Sequence, residues 1–540
     1  MKKLLRVAAA LAAVFLLPVP AFAADAWVAP SPQSAAVGQS IVSINEISDG
    51  NWNTRREAIK WGADYAHSEA YVCHDVPMTG PCDLAKSGFS FYGSNLLVPC
   101  ESAQQEDCIE TLTFTTADGK TVTAHHVGNA GGPIFDAIPS VSLQKGGQVS
   151  FWQADGVKNS AGTDTYAVVI RSRQDWMPSM QRFFTISLDA SVIPYRVQTG
   201  NYEAPYEKGF KNALGINQVA GFGHDGNCVW TDAGLCGVRA DFVGNPKVSV
   251  KFRGSTDLGG WFRGRLAHTG IDITAFSKTN NLYTVTGEPV SVGRFAVLAT
   301  AENTSERVKA LFPVGSSGSG NELFQGNSGK FAFATDGSTG GPYTIIEDYR
   351  NAVHDTAAGT SSLWSFESIS ENSNNACLSE RGRVLGIVTT DATAYDGVAP
   401  TFADGQLTYR VAGLHYMPDG KTLTDGTYDL VMRSDVARCL YKFSKAPISA
   451  TVSVIDDKGE SKTAVTTVNE TPDGWLHLGA YGFTFSSPKI NVKLSQEGSA
   501  VGSTPASSPA ASTTITCVKG KLTKKVTGTA PKCPAGYKKK

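Results

Sequence analysis

The sequence lacks the short motifs that mark metal-dependent enzymes and zinc modules. It contains no His-Glu-x-x-His and no Cys-x-x-Cys motif, which argues against a zinc peptidase or a zinc ribbon. The acidic turn 456–460 has Lys458 where a calcium loop would need an oxygen ligand. His125 and His126 are adjacent, so on a strand they would point to opposite faces and could not bind one ion together. We therefore predict neither a metal site nor a cofactor.

Long apolar runs are also scarce. The run Val7–Leu17 is shorter than the roughly 20 residues that span a bilayer. It follows three basic residues and precedes the small-residue site Ala21-Phe22-Ala23, which is the pattern of a secretory signal peptide. We expect cleavage after Ala23 and no transmembrane segment in the mature chain. The protein would then be secreted, extracellular, and associated with the cell surface or cell wall.

The ten cysteines occur in neighbouring pairs, which suits an oxidising compartment. Short loops are the easiest to close, so sequential pairing is the preferred hypothesis. Its pairs are Cys73/Cys82, Cys100/Cys108, Cys228/Cys236, Cys377/Cys439 and Cys517/Cys533. The spacing leaves one alternative open for the first four cysteines, in which Cys73 pairs with Cys108 and Cys82 with Cys100.

Runs of alternating β-branched or aromatic residues recur between Gly, Asp and Asn turns, and the chain contains 55 glycines. One such unit joins Thr111–Thr116 to Thr121–His125 through Asp118-Gly119, a pair suited to a tight hairpin turn. The pattern predicts an all-β fold, a multidomain β-sandwich with disulfide-stapled loops and little helix. Helical periodicity is confined to Asn53–His67 and Ser305–Leu311.

Changes in composition suggest domain boundaries. A charged, aromatic segment interrupts the strand pattern near 195–215, and Gly, Ser and Asn collect within 302–375. The segment Cys377–Gln496 has about seven strand-like runs, an immunoglobulin-like number, with Trp475 as the expected core aromatic residue. The predicted organisation is a signal peptide at 1–23, an N-terminal β domain at 24–200, a middle β domain at 201–375, an immunoglobulin-like β-sandwich at 376–497, a Pro/Ser/Ala-rich linker at 498–514 and a basic disulfide tail at 515–540.

Two residues are candidates for a catalytic site of the chymotrypsin type. The segment Gln325–Gly329 is similar to the Gly-Asp-Ser-Gly motif of that protease family, with Ser328 as the nucleophile, and His125 ends a Thr-Ala-His sequence. However, Asn327 replaces the acidic residue of the motif and Lys330 replaces the following glycine. A glycine-rich loop and a strand histidine explain both residues more simply. No catalytic residue is therefore assigned, and an enzyme is not the preferred interpretation.

Aromatic residues could instead line a carbohydrate-binding surface. The densest cluster is Trp261-Phe262-Arg263, although packing in the core of a β domain explains it more simply. Paired carboxylates for glycoside hydrolysis would meet in space and not in sequence, and the sequence singles out no pair.

The segment 515–540 is a strongly basic tail. It contains eight lysines and no acidic residue, which leaves a net charge of −9 on the rest of the chain. The lysines are Lys519, Lys521, Lys524, Lys525, Lys532, Lys538, Lys539 and Lys540. This composition favours an anionic cell-wall polymer or glycan, whereas one aromatic residue and no arginine argue against nucleic acid. A merely solubilising end, and docking of the tail onto the acidic remainder of the chain, stay open as alternatives.

Several segments resemble a group of exported proteins. They are the tail CVKGK…PKCPAGYKKK, Arg438–Tyr441 and Phe483–Pro488, with a fainter match at Ser160–Ala167. They resemble segments of exported actinobacterial cell-surface proteins with a short basic two-cysteine C-terminal tail. The resemblance implies a Gram-positive cell-surface setting and supplies no functional residues.

The preferred hypothesis is therefore an exported, disulfide-stapled β protein of the cell surface that acts by binding. Its role would be adhesive, glycan-binding or otherwise associated with the cell envelope, and the tail would aid retention. The alternative is a secreted hydrolase, including a divergent serine protease that uses Ser328. Neither hypothesis indicates an oligomeric state.

A serine-directed probe distinguishes the two hypotheses. The binding hypothesis predicts that a fluorophosphonate does not label the secreted protein, because no activated serine is expected. Labelling is measured by in-gel fluorescence, with Ser317→Ala as the matched control for Ser328→Ala. Labelling that persists in Ser317→Ala and disappears in Ser328→Ala would establish the protease alternative.

Overall fold

The structure is a computed structural model with two compact units, Met1–Ser495, here called the body, and the C-terminal unit Gln496–Lys540. The residues it describes are 39–46, 53–73, 79–86, 88–222, 228–311, 330–334, 337, 340–369, 375–378, 382–444, 448–455, 461–463, 465–485, 489–496, 513–519, 522–528, 532–533 and 537–539. Strands dominate both units, so the predicted all-β class is confirmed. The predicted signal peptide at 1–23 lies outside the described residues.

The strands of the body are numbered in chain order. The first are β1 (Gln39–Asn45), β2 (Arg55–Lys60), β3 (Glu69–Val72), β4 (Ser90–Leu96), β5 (Val98–Pro99), β6 (Cys108–Thr115), β7 (Thr121–Thr123), β8 (His125–Asn129), β9 (Ser150–Gln153), β10 (Thr165–Met177) and β11 (Arg182–Thr199). Next come β12 (Tyr206–Lys211), β13 (Asn217–Phe222), β14 (Cys228–Asp232), β15 (Leu235–Arg239), β16 (Lys247–Ser255), β17 (Gly260–Arg265), β18 (Ala267–Ala275), β19 (Asn280–Glu288), β20 (Val290–Thr300), β21 (Lys330–Ala334), β22 (Gly359–Leu363) and β23 (Ser365–Ile369).

The last strands of the body are β24 (Val384–Thr390), β25 (Ala394–Tyr395), β26 (Thr401–Ala403), β27 (Gln406–Ala412), β28 (Gly426–Arg433), β29 (Ile448–Ile455), β30 (Ser461–Thr463), β31 (Val465–Glu470), β32 (Trp475–Phe483) and β33 (Lys489–Gln496). The α-helices of the described residues are α1 (Glu306–Lys309), α2 (Gly341–Tyr349) and α3 (Ser434–Tyr441). None of these helices is long and apolar enough to cross a membrane.

A sheet of 15 strands, here called the central sheet, forms the spine of the body. Its main order is β3-β2-β4-β10-β11-β23-β17-β24-β28-β32-β31, with β9 and β8 branching from β10, and β15 and β14 from β11. The other sheets of the described body are β18-β19-β16-β6-β5 with β7, β25-β27-β33-β29-β30 with β26, β21-β1-β20-β22, and the hairpin β12-β13. All pairs in the central sheet are antiparallel except β17 with β24.

Two six-stranded sheets share hydrophobic cores with different parts of the central sheet. In one core, Val168 of β10 lies in the same buried cluster as Phe114 of β6. In the other, Leu430 of β28 lies in the same cluster as Val492 of β33. Because inward residues of facing sheets form these shared cores, the fold is a β-sandwich, as predicted. Trp475 is buried as expected, whereas the immunoglobulin-like topology of the C-terminal third stays a prediction.

A buried ion pair joins the sheets. Arg265 of β17 has a side chain that is 1% exposed, and its Nη2 lies 2.8 Å from Oε2 of Glu46, which directly follows β1. Its Nη1 donates to the backbone oxygens of Thr390 (3.1 Å) and Ala392 (2.6 Å) at the end of β24. The guanidinium carbon lies 4.3 Å from the ring centroid of Tyr395 in β25. One side chain therefore contacts three sheets.

The body contains four disulfide bonds among its described residues, and they are the sequential pairs expected from the spacing. They are Cys73–Cys82, Cys100–Cys108, Cys228–Cys236 and Cys377–Cys439. The crossed alternative for the first four cysteines is therefore wrong. Cys533 is disulfide-bonded, but the side chain of Cys517 lies outside the described residues, so the pairing Cys517–Cys533 stays a prediction.

Two local predictions are confirmed. The hairpin built around Asp118-Gly119 is β6 with β7, and Gly119 has the positive φ of 82° that its turn requires. The short helix predicted at Ser305–Leu311 is α1, and the Ser305 Oγ accepts a hydrogen bond from the Val308 N–H at 3.2 Å as an N-cap.

The helix predicted at Asn53–His67 is wrong. Residues Arg55–Lys60 form β2, and Tyr65–His67 form a single 3-10 turn. The charged Arg56 occupies an inward position of β2, which hides the alternation that marks a strand. Its Nη2 donates to two backbone oxygens of the segment 136–144, and burial lowers its pKa to about 10.

Strand pairing links the three predicted β domains through the central sheet. β11 of the first pairs with β23 of the second, and β17 of the second pairs with β24 of the third. The segment near 195–215 does not end the strand pattern, because it includes β12. The boundaries at 200/201, 375/376 and 497/498 stay predictions.

The C-terminal unit contains a small sheet of β34 (Thr513–Lys519), β35 (Leu522–Gly528) and β36 (Lys538–Lys539) in the order β35-β34-β36. In its register, Lys524 and Lys539 lie opposite Cys517 on either side. Lys532, Lys538 and Lys539 are exposed. Lys521 and Lys540 lie outside the described residues, and the role of the tail lysines in attachment stays a prediction.

The Arg265–Glu46 pair yields a stability prediction. Arg265→Met should lower the free energy of unfolding by about 3–5 kcal/mol, because Glu46 is left buried without its cation. Urea unfolding followed by tryptophan fluorescence measures this change. Adding Glu46→Gln should recover part of the loss.

Lys309→Gln is the control for this prediction. Lys309 pairs with Glu306, whose side chain is 88% exposed, so its loss should cost less than about 1 kcal/mol. A similar small effect for Arg265→Met would show that the buried pair does not stabilise the body.

Candidate functional site

Polar side chains form a row across four strands of the central sheet. Arg55 lies opposite Ser94, Ser94 opposite Arg173, and Arg173 opposite Ser187. Directly opposite residues project from the same face of a sheet. The strands β2, β4, β10 and β11 therefore present these four side chains on one face.

The alternation of β10 explains why this face is polar. Ser172 and Gln174 are buried on one side of the strand, whereas Arg171 and Arg173 are on the other and are partly exposed. The arginines line a cleft of about 440 Å³ together with residues of the three neighbouring strands. We call it the Trp61 cleft, after the most exposed aromatic residue in its wall.

Trp61 directly follows β2, and 60% of its surface is exposed. Its Nε1 donates a hydrogen bond to the Tyr92 Oη at 3.3 Å. The guanidinium carbon of Arg173 lies 5.1 Å from the centroid of the Tyr92 ring, a cation–π distance. The cleft therefore combines an accessible apolar ring with positioned hydrogen-bond donors.

Ion pairs hold the arginines of the cleft. Arg171 Nε donates to Asp189 Oδ1 at 3.0 Å, and a second bond joins its Nη2 to the other carboxylate oxygen. On the next strand, outside the cleft, Glu367 lies opposite Asp189 and accepts a 2.8 Å bond from Arg263 Nε. Burial raises the pKa of both carboxyl groups, and the two arginines oppose that rise. Each guanidinium is thereby fixed in orientation.

Two glutamates meet at the edge of the cleft. Glu57 of β2 lines it, and the Glu207 side chain of β12 has no exposed surface. Arg55 Nε lies 3.2 Å from Glu207 Oε1. Burial raises the pKa of Glu207, and the neighbouring Glu57 raises it further. A carboxyl group that is buried beside a second carboxyl group favours its protonated form.

Of the site residues predicted from sequence, none that the structure describes lines the Trp61 cleft. His125 is an exposed residue at the start of β8, and Ser328 lies outside the described residues, so their meeting is not tested. Trp261 and Phe262 are fully buried and Arg263 pairs with Glu367, so that aromatic cluster belongs to the core. Among the described residues, no group of three or more His, Cys, Asp or Glu residues could hold a metal ion.

Sequence reasoning does not find the Trp61 cleft, because the pattern of Asn53–His67 predicts a helix where β2 lies. A strand over Arg55–Lys60 places Arg55, Glu57, Ile59 and Trp61 on one face by simple alternation. That outward alternation is the signal that could identify the cleft, although the charged residue at the inward position 56 obscures it.

Comparisons with known proteins supply no assignment. No protein-family model matches the chain, and a search of curated proteins finds no similar sequence.

Glu207 provides a prediction about pH. Its raised pKa means that the folded protein binds more protons than the unfolded chain above the ordinary value of 4.5. The contribution of Glu207 to the free energy of unfolding should therefore be greatest below pH 4.5. It should be lost as the pH rises through the raised pKa. Urea unfolding at pH 5, 6.5 and 8 should show this loss in the wild type and a flatter dependence in Glu207→Gln.

Glu306→Gln is the matched control, because the Glu306 side chain is 88% exposed. It should leave the pH dependence of unfolding unchanged. Equal slopes for the wild type and Glu207→Gln would contradict the assignment.

Proposed function

We propose that this is an exported cell-surface protein that binds an extracellular glycan in the Trp61 cleft. The basic tail adds a second, electrostatic attachment to anionic cell-wall polymer. The four disulfide bonds of the body support an oxidising location.

The exposure of Trp61 carries the proposal. A large apolar ring that is 60% exposed beside polar side chains offers a ligand a face to pack against, and covering that face removes apolar surface from water. A sugar ring presents C–H groups on its face and hydroxyl groups at its edge. Trp61 can pack against the face while its indole stays hydrogen-bonded to Tyr92.

The arginines suit the edge of such a ligand. Guanidinium groups stay charged and present several donors in a rigid plane. Arg171 is held by Asp189, and Arg55 by Asn53 Oδ1 at 3.0 Å. A glycan would therefore meet donors that are already oriented, which lowers the entropic cost of binding.

The tail suits a different kind of attraction. Its eight lysines without acidic residues attract polyanions of many shapes. Such attraction weakens as salt shortens the range of electrostatic forces. Stacking on Trp61 is not screened in this way, so salt separates the two contributions.

Binding to purified actinobacterial cell walls tests the proposal. Trp61→Ala should weaken binding about ten-fold at both 50 and 500 mM NaCl, because about 1.4 kcal/mol of ring contact is lost. Deletion of 498–540 should weaken binding at 50 mM NaCl and have little effect at 500 mM. Sedimentation of protein with the walls measures the bound fraction.

Two variants serve as controls. Trp61→Phe keeps an aromatic face and should retain most of the binding. Met180→Ala removes a side chain of a residue that is 59% exposed and lies outside the cleft, and should have no effect. Unchanged binding by Trp61→Ala would refute the cleft, and unchanged binding by the deletion at low salt would refute the role of the tail.

A further inference from the structure

A second cleft lies on the other side of the central sheet. Gln174 of β10, which points away from the arginine row, lines this cleft of about 580 Å³. We call it the Asp107 cleft. It is separate from the Trp61 cleft, and nothing in the proposed function depends on it.

The loop that carries Asp107 is held at both ends and in its middle. The disulfide Cys100–Cys108 closes the loop. The Arg253 Nη1 donates to three of its backbone oxygens, those of Ser102, Ala103 and Gln105, at 3.1, 3.0 and 2.7 Å. The Arg253 side chain is 8% exposed. The disulfide and these hydrogen bonds therefore hold the loop in one conformation against the body.

Asp107 uses only one of its carboxylate oxygens within the protein. Its Oδ1 accepts hydrogen bonds from Gln144 Nε2 at 2.6 Å and from Asn280 Nδ2 at 2.8 Å. No described residue donates to its Oδ2. The backbone of Asp107 has a left-handed φ of 51°, which Asp and Asn tolerate better than most residues.

Gln144 supplies a second acceptor without a donor. The residue is 5% exposed, and no described residue donates to its Oε1. Its backbone N–H donates to Gln174 Oε1 at 2.9 Å, which fixes its position. A buried acceptor without a donor is costly. Because Gln144 Nε2 contacts Asp107 Oδ1, the two unpaired oxygens belong to side chains in direct contact.

The charged groups around these oxygens leave an excess of negative charge. Arg182 binds Asp257 through both nitrogens, with Nη2 2.7 Å from Oδ1. Lys145 lies 3.8 Å from Glu101. The remaining charged residues of the lining are Glu106, Asp107 and Lys278. The carboxyl groups of Glu106 and Asp107 therefore face only the ammonium group of Lys278. The excess negative charge favours a ligand with a cationic hydrogen-bond donor.

We propose that the Asp107 cleft binds the primary ammonium group of a small hydroxylated ligand, such as an amino sugar. An ammonium ion has three donors and no acceptor, so it can donate to Asp107 Oδ2, and to Gln144 Oε1 once a small side-chain movement exposes that buried oxygen. Hydroxyl groups of Ser255, Thr256 and Thr279 also line the cleft, and these suit the hydroxyl groups of such a ligand.

Calorimetric titration of the full chain with glucosamine tests the proposal, with glucose as the neutral ligand of the same shape. At pH 7 and low salt, glucosamine should bind at least ten-fold more tightly than glucose. Asp107→Asn should remove this difference, because it takes away the charge and keeps the shape. Gln144→Met should weaken glucosamine binding several-fold.

The pH dependence of glucosamine binding gives an independent test. Burial raises the pKa of Asp107 to about 6, and the charges of Glu106 and Asp257 raise it further. The wild type should therefore lose affinity for glucosamine as the pH falls from 7 to 5, where the ligand stays protonated. Asp107→Asn should show no such dependence.

Glu306→Gln is the matched control, because the Glu306 side chain is 88% exposed and does not line the cleft. It should change glucosamine affinity less than two-fold, and so should Trp61→Ala, which keeps this test separate from the glycan proposal. Equal affinities for glucose and glucosamine would overturn the proposal. Equal losses in Asp107→Asn and Glu306→Gln would also overturn it, since they would indicate diffuse attraction.

A lysine side chain is the alternative source of an ammonium group. Nα-acetyl-lysine amide should bind more weakly than glucosamine, because it lacks the hydroxyl groups. Equal or tighter binding of the lysine derivative would overturn the assignment to a hydroxylated ligand.

Urea unfolding of Asp107→Asn serves as the folding control for these titrations. The unfolding curve is expected to match that of the wild type, which verifies that the variant is folded.

Discussion

The contact between Arg265 and Glu46 constrains how three sheets of the body are arranged. A guanidinium removed from water is tolerated only when its donors all meet acceptors. Those acceptors come from the end of β1 and from the end of β24, while the ring of Tyr395 covers the guanidinium. The charge is thus satisfied only when three sheets are assembled together. Arrangements that leave one sheet displaced would carry a buried, unbalanced charge.

Much of the fold could be predicted because strands and turns are local. Alternation in Lys247–Arg253 marks β16, and Asp118-Gly119 marks a hairpin, without knowledge of distant residues. The assembly of the strands could not be predicted in the same way. β16 lies between β6 and β19, and its partner β6 is more than a hundred residues earlier in the chain. The inward Arg56 also shows that a buried position need not be apolar.

The two clefts were harder to predict than the fold. Trp61 and Trp261 have the same side chain, but the first is 60% exposed and the second is fully buried, a difference that the residue type does not reveal. Asp107 takes its hydrogen bonds from Gln144 and Asn280, which are 37 and 173 residues away. In the sequence, the only sign of this cleft is an acidic residue beside a cysteine of a short loop. Only the folded chain shows that its neighbours leave two acceptors unpaired.

The position of β1 has a consequence for how the chain reaches its folded state. β1 pairs with β20, where Gln39 lies opposite Thr300, and in parallel with β21, where Ile41 lies opposite Lys330. Such pairing gives the protein a high contact order, so folding is expected to be slow. A chain that leaves the cell N-terminus first would expose β1 as an unpaired edge while more than 250 residues follow. Its partners β20 and β21 follow much later in the chain, so a chain exported in this way would need protection from aggregation until they appear.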